Sequence, residues 1–381
     1  MITKKTKSWV VSVLLMGCLM VVAAGCGNKA DPAESNNAAA KATANANANT
    51  PAASESGTDW AARKAENEKA GKITYITGYY YAASAPDIEA VMADELGYFK
   101  ELGLNVEIQP GLDSEGMKFL AAGQAQIASA GTPSLVIQSV ANGADIRGIA
   151  TFSASGIGAI MVMDDSPIKE PKDLEGKTLG YHGALPANYE AMFTNSGVDV
   201  TKIKGVSVGY DPTILSSGKV DALTVYKSNE PYIMEKIGHK VRLIDPGQYG
   251  ADTSFGVIAA NSAFAEKHPE AVKDFLRAVS KAHEYALANP DEALKVLEKR
   301  SQSTYDIQAE TNRWSVESKI LTGAKVEGHG VAWQTSDQWQ REISMLFASK
   351  VIKKTLEVND VMDNRFIDSI YDGEKLIWPQ S

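Results

Sequence analysis

The chain has 381 residues, with 38 Lys and Arg against 47 Asp and Glu and a formal charge of −9 at pH 7. An acidic balance without a dense basic run excludes nucleic acid as the main partner, because phosphates would find nothing to neutralise them. Cys18 and Cys26 are the two cysteines and both lie near the N-terminus, so the globular part has no disulfide framework, thiol nucleophile or cysteine metal site.

Lys4, Lys5 and Lys7 precede an apolar run from Trp9 to Ala24 that is too short for a comfortable membrane span. Val22-Ala23-Ala24-Gly25 closes it with small residues, so residues 1–25 have the pattern of a signal peptide. Cys26, placed directly after them, resembles the cysteine of the bacterial lipobox, with Ala23 where leucine is usual. Cleavage before Cys26 implies a diacylated N-terminus, and two acyl chains hold a soluble body at a membrane. An ordinary signal with an incidental cysteine is the alternative. Residues 26–71, as in AAAKATANANANTPAASESG, contain few large apolar side chains and are expected to form a lipid-anchored disordered tether. About 310 residues remain, enough for two globular lobes.

From residue 72 strand and helix signals alternate. ITYITGYYY reads as a strand running into a loop. Ser84 and Asp87 suggest a capping box before a helix carrying Ile88, Val91, Met92 and Leu96, which Gly97 ends. NVEIQP is a strand, SEGMKFLAAG a helix, AQIASAG a strand, and Thr132-Pro133 opens a further helix. IRGIATF and GAIMVMDD follow as strands. A second series has strands at KTLGYHG, GVSVGY, VDALTVY, KVRLIDPG and SFGVIAAN, with helices at LPANYEAMFTNSG and EPYIMEKIG. Strands separated by helices of this length predict an α/β fold with parallel-rich sheets flanked by helices. Beyond Asn261 the pattern is nearly all helical, starting with PEAVKDFLRAVSKAHEYALANP. A helical tail without new strands is expected to fold back on the first lobe.

ADELGYFKELGLNVEIQPGLDSEGMKFLAAGQAQIASAGTPSLV resembles the first lobe of the solute-binding proteins of bacterial ABC importers. The branch it is most similar to takes thiamine-pyrimidine precursors, riboflavin, sulfonates, taurine and nitrate. SPIKEPKDLEGKTLGYHG and AFAEKHPEAVKDFLRAVSKAHEYALANPDEAL are similar to that branch's second-lobe start and long return helix. The resemblance implies a two-lobed, type II periplasmic-binding-protein-like clamshell. It places lobe 1 at 72–160, lobe 2 at 161–255 and the helical completion of lobe 1 at 256–381, with crossings near Gly158–Met163 and Ser254–Asn261. It also implies a monomer outside the cytoplasm, at the periplasmic or outer face. That monomer would touch the membrane through its lipid anchor only and would deliver a small molecule to ABC permease and ATPase subunits. Such clamshells close because only the closed state touches ligand from both sides.

Candidate ligand contacts fall at strand ends, where α/β lobes hold small molecules. Tyr79, Tyr80 and Tyr81 end the first strand and could stack on a flat ring, although three in a row cannot all face one way. Gly131 and Thr132 offer helix-start N–H groups or plain capping. Ser153, with Phe152 beside it, ends the next first-lobe strand. His182 holds the equivalent place in lobe 2 and could hydrogen-bond a ring nitrogen or serve structurally. Tyr226 and Tyr249 are further aromatic candidates. Asn229-Glu230-Pro231 follows an apolar strand. Glu230 either charges a helix start or reaches the ligand. Within the resembled branch, Asn-Glu-Pro at this place is similar to binders of aminopyrimidines or riboflavin-like heterocycles. The branch's first-loop tryptophan and asparagines are replaced here by Gly78-Tyr79-Tyr80-Tyr81. A carboxylate accepts from an exocyclic amine but repels a sulfonate or nitrate in a desolvated cleft, so a small organic anion is the alternative ligand.

No cofactor is expected. The five histidines lack metal-ligand spacing, and neither G-x-S-x-G nor H-E-x-x-H occurs. A related eukaryotic pyrimidine synthase shares the resembled fold but carries a cysteine-rich motif that is absent here, so no enzyme activity is expected. A purely structural surface lipoprotein is the third reading.

Overall fold

The computed structural model describes residues 57–301 and 305–379. The expected signal peptide, Cys26 and most of the expected tether lie outside the described residues. The C-terminal part of that tether is a correction to the sequence reading, because Trp60–Glu68 is a helix. Asp59 caps it by accepting the Ala61 and Ala62 N–H groups. Arg63 and Asn67 then bind Asp274, at 3.0 and 2.5 Å, from the long Pro269–Ala288 helix. Composition hides this docking, because its partner lies some two hundred residues downstream.

Two five-stranded sheets organise the rest. The first combines β1 (Lys72–Ile76), β2 (Asn105–Gln109), β3 (Ile127–Ala130), β4 (Ile146–Ser153) and, from far along the chain, β10 (Phe255–Asn261), in the order β2-β1-β3-β10-β4. The second holds β5 (Gly158–Met163), β6 (Thr178–Tyr181), β7 (Lys204–Ser207), β8 (Ala222–Tyr226) and β9 (Val241–Ile244), in the order β7-β6-β8-β5-β9. β1 runs parallel to β2 and β3, and β6 runs parallel to β7 and β8. β10 is antiparallel to β3 and β4, and β5 is antiparallel to β8 and β9. The antiparallel member of each sheet is therefore the strand that has just arrived from the other lobe.

The two crossings lie side by side. Between β4 and β5 the Gly156 N–H donates to Asp252 Oδ1 at 2.9 Å, and Asp252 belongs to the return segment before β10. A Cβ on Gly156 would sit 2.3 Å from Thr253 Oγ1, so a side chain there would push the two crossings apart. Paired short linkers of this kind suit hinge motion between rigid lobes.

The largest core cluster joins Ile73, Tyr75, Ile88 and Met92 to Phe275, Leu276 and Val279 of the long helix and to Trp314 and Leu321 of the Ile307–Gly323 helix. The helical tail thus packs on the first sheet. A second cluster packs Trp339 and Ile343 of the Ser336–Ala348 helix on its other side, with Ile76, Ala128 and Val257. Sheets covered on both faces account for the nearly unbroken burial of β3 and β10. The second lobe has smaller cores around Leu179, Met192 and Phe193, and around Met161, Leu223 and Met234.

Candidate functional site

The first wall is the Tyr79–Tyr81 loop, and its shape is set by a buried acid. The helix Asp87–Glu95 does start where expected, but the predicted capping box does not form. Asp87 instead turns back to accept the Gly78 N–H at 2.9 Å, the Tyr79 N–H at 3.1 Å and the Tyr75 hydroxyl at 3.1 Å. Burial pushes the Asp87 pKa up to about 7, against the pull of these donors. Ser84, freed from capping, donates elsewhere. Gly78 is required here, because a Cβ would lie 2.6 Å from Ser129 Oγ. Tyr80 takes a φ of 50°, unusual for a non-glycine, and donates its N–H to Gly111 O at 2.8 Å. The result leaves Tyr79 56% and Tyr80 52% exposed, with their rings edge-on at 5.7 Å. Tyr81 is half-buried and packs on the core.

The second wall comes from lobe 2. Tyr226 ends β8 and keeps 56% of its surface open. Its pKa is raised, first by desolvation, then by the charge of Asp113 and by Glu230, Tyr210 and Glu317. Asp113 belongs to lobe 1 and donates its N–H to Gly78 O at 2.8 Å, so a first-lobe charge beside the tyrosine loop acts on the second wall. Glu230 opens the Glu230–Lys236 helix and is 3% exposed. Its Oε2 accepts the Tyr226 N–H at 2.8 Å and its Oε1 accepts the Asn229 side-chain amide at 3.1 Å. Each oxygen retains a further lone-pair direction.

Three side chains that sequence reasoning missed join these walls. Asp113 begins the Asp113–Ala121 helix with its carboxylate against Gly131, where a Cβ would lie 3.1 Å from Oδ2, and burial raises its pKa. The Gly131 backbone, expected to face ligand, thus lies beside a carboxylate. Tyr210 is 81% exposed and stacks on His182, with ring centroids 4.7 Å apart. Arg313, from the Ile307–Gly323 helix, lies 5.9 Å over the Tyr79 ring and donates to Asn229 Oδ1 at 3.4 Å. None of the three follows a periodic signal that could have announced it.

Apart from His182, stacked on Tyr210, the remaining sequence candidates do not join these walls. Thr132 is the residue before the Pro133–Ala141 helix but makes no side-chain cap. Ser153 is buried, donating to Ser155 O at 2.8 Å and so shaping the crossing turn. His182 Nδ1 faces Val208 O at 3.4 Å, and its buried Nε2 has no hydrogen-bond partner among the described residues. Tyr249 packs on the second-lobe core, where its carbonyl accepts from Asn195 at 2.9 Å. Among the described residues no group of three or more His, Cys, Asp or Glu could hold a metal ion.

Residues 87–293 match the family described as "NMT1/THI5 like". The chain belongs to that family. The formylaminopyrimidine-binding protein of Halalkalibacterium halodurans is 26% identical over 281 residues, covering 72% of this chain and 84% of that protein. The taurine-binding periplasmic protein of Escherichia coli is 28% identical over 223 residues, covering 56% of this chain and 68% of its own. Among solved structures, the periplasmic aliphatic sulphonate binding protein of Escherichia coli superposes with a TM-score of 0.60 at 16% identity, over 81% of this chain and 95% of that one. This likeness shows the periplasmic-binding-protein fold.

Within this NMT1/THI5-like fold, two buried carboxylates meet serines near the lobe loops and the hinge. Glu317 is fully buried, and Glu342, 1% exposed, accepts Ser134 Oγ at 2.6 Å and the Ser254 N–H at 2.8 Å. Burial pushes both from 4.5 to about 7. A carboxyl whose folded pKa lies above its unfolded value takes up protons on folding, so its stabilising contribution is full below about 4.5 and is lost as pH rises through about 7. The thermal midpoint is therefore expected to be higher at pH 5.5 than at pH 8, and the difference should shrink in Glu342→Gln. Melts at the two pH values check this, and an equal or higher midpoint at pH 8 would contradict it.

Proposed function

We propose that the chain is the extracytoplasmic solute-binding component of an ABC importer. In this reading it closes on a flat, nitrogen-rich heterocycle of the aminopyrimidine class and hands it to a permease. Cys26 would carry the lipid anchor, and residues between it and the Trp60–Glu68 helix would form the tether. The lobes would divide at the crossings between β4 and β5 and between β9 and β10.

The observation that carries the ligand class is the composition of the seam. Tyr79 and Tyr80 stand exposed on one side, next to Asp113, whose N–H donates to Gly78 O at 2.8 Å, and Tyr226, Tyr210 and Glu230 stand on the other, where the Asp113 charge acts on Tyr226. Aromatic faces stack on flat rings, and carboxylates accept from ring amines. Two cations approach the same loops, but each is already paired. Arg313 binds Glu310 at 3.0 Å, and Lys227 binds Asp245 at 2.6 Å. A sulfonate would have to displace a carboxylate from one of them in a desolvated cleft. The absence of cysteine after Cys26 supports binding without turnover.

Calorimetric titration of the mature protein with 4-amino-5-hydroxymethyl-2-methylpyrimidine, riboflavin and taurine tests the reading. Saturable heat is expected with one of the heterocycles and none with taurine, and the radius of gyration in solution scattering should fall at saturation. Taurine binding with both heterocycles silent would overturn the ligand class, and an unchanged radius at saturation would overturn closure.

A further inference from the structure

The Ile307–Gly323 helix is rooted in the first lobe by Trp314 and Leu321, yet its polar face reaches loops of both lobes. Glu310, Arg313 and Glu317 recur at helical spacing and share that face. Glu310 Oε2 accepts the Ala83 N–H at 2.7 Å, in the first-lobe loop. Asn312 donates to Ser228 O at 3.0 Å, in the second-lobe loop. Glu317 does both at once. Its Oε2 accepts the Ser84 hydroxyl at 2.6 Å, and its Oε1 accepts the Ser228 hydroxyl at 2.7 Å. Ser84 precedes the Asp87–Glu95 helix that shapes the Tyr79 loop, and Ser228 lies two residues before Glu230.

A fully buried carboxyl is costly unless its oxygens are satisfied, and here each satisfying hydroxyl comes from a different lobe. Separating the Ser84 and Ser228 loops would strand one oxygen. Arg313 on the same helix, the Glu310 charge and the Tyr226 hydroxyl are the other titratable groups that act on it.

We propose that Glu317 is a positioning residue that bridges the lobes, fixing the Ser228–Glu230 loop against the Tyr79 loop so that the two walls of the cleft face each other. It touches no ligand in this account. Its effect on affinity rests on the heterocycle reading above, whereas its effect on the second-lobe loop does not.

Hydrogen exchange of the full chain separates the two. The Tyr226 and Asn229 N–H groups are bonded to Glu230 Oε2 and to Tyr226 O. In Glu317→Gln and in Ser228→Ala, the peptide covering these amides is expected to exchange about tenfold or more faster, the scale for losing a hydrogen bond to a charged acceptor. The β7 strand, at the edge of the second sheet and not bonded to β8, should be unchanged. Should Glu317→Gln fail to fold, Ser228→Ala alone carries the test. If 4-amino-5-hydroxymethyl-2-methylpyrimidine binds the parent, both variants should weaken it by a similar factor. Exchange at Tyr226–Glu230 matching the parent in both folded variants would overturn the bridge, whether or not that probe binds.

Discussion

Glu230→Gln is expected to weaken binding of the aminopyrimidine probe roughly 10- to 150-fold, because a hydrogen bond to a charged group is worth about 1.5–3 kcal/mol. The substitution keeps shape and one acceptor oxygen, which can still take the Tyr226 N–H that Glu230 Oε2 accepts at 2.8 Å. The loop should therefore persist, with a stability loss of only about 1 kcal/mol. What disappears is the charge in a seam that also contains Asp113 and exposed tyrosines. An anion binder predicts the opposite sign, since removing a carboxylate relieves repulsion of a sulfonate. Calorimetry of both proteins with the aminopyrimidine and with taurine distinguishes the cases. Tighter taurine binding by the variant, with no heterocycle bound by either protein, would refute the proposed ligand class.

Trp339→Ala should cost about 3–5 kcal/mol of folding stability, the range for truncating a large buried aromatic side chain. The indole is completely buried against β4, so close that a Cβ on Gly148 would lie 2.2 Å from the ring. Its Nε1 donates to Gln334 Oε1 at 3.0 Å, the oxygen that also accepts from Thr151 at 2.7 Å. Gln334 in turn donates to Gly148 O at 3.0 Å, so one indole and one amide tie the C-terminal helices to the outermost strand of the first sheet. Losing the ring opens a cavity and removes one donor from that buried network. Urea unfolding gives the measurement: a lower midpoint at unchanged slope is expected. Stability within about 1 kcal/mol of the parent would mean that the site collapses around the gap.

The same pair shows what the sequence could and could not disclose. IRGIATF announces β4 through its apolar run, yet nothing in it says that Gly148 must remain bare for an indole almost two hundred residues away. The Asp87 helix was legible by its 3.6-residue period. Local pattern places its acid in a capping box, because it cannot foresee a turn back toward Gly78 and Tyr79. Likewise a low-complexity composition is visible in residues 27–56, while the Trp60–Glu68 helix is stabilised by Asp274 from a distant helix.

Alternating apolar runs and helical periods determined the α/β class, the two series of elements and the strand ends where Tyr79, Tyr226 and Glu230 stand. These features are local, since each depends on backbone periodicity and on residues a few positions apart. Tertiary structure alone decided that the Asp113 charge acts on Tyr226, that Tyr210 stacks on His182, and that Arg313 and Glu317 come from the tail to meet both lobes. The two bonds of Glu317 span 233 and 89 residues of sequence. Contacts of that separation leave no period in a single chain, because they are fixed by which lobe each strand enters after crossing the hinge, and only the folded arrangement of the two sheets sets that.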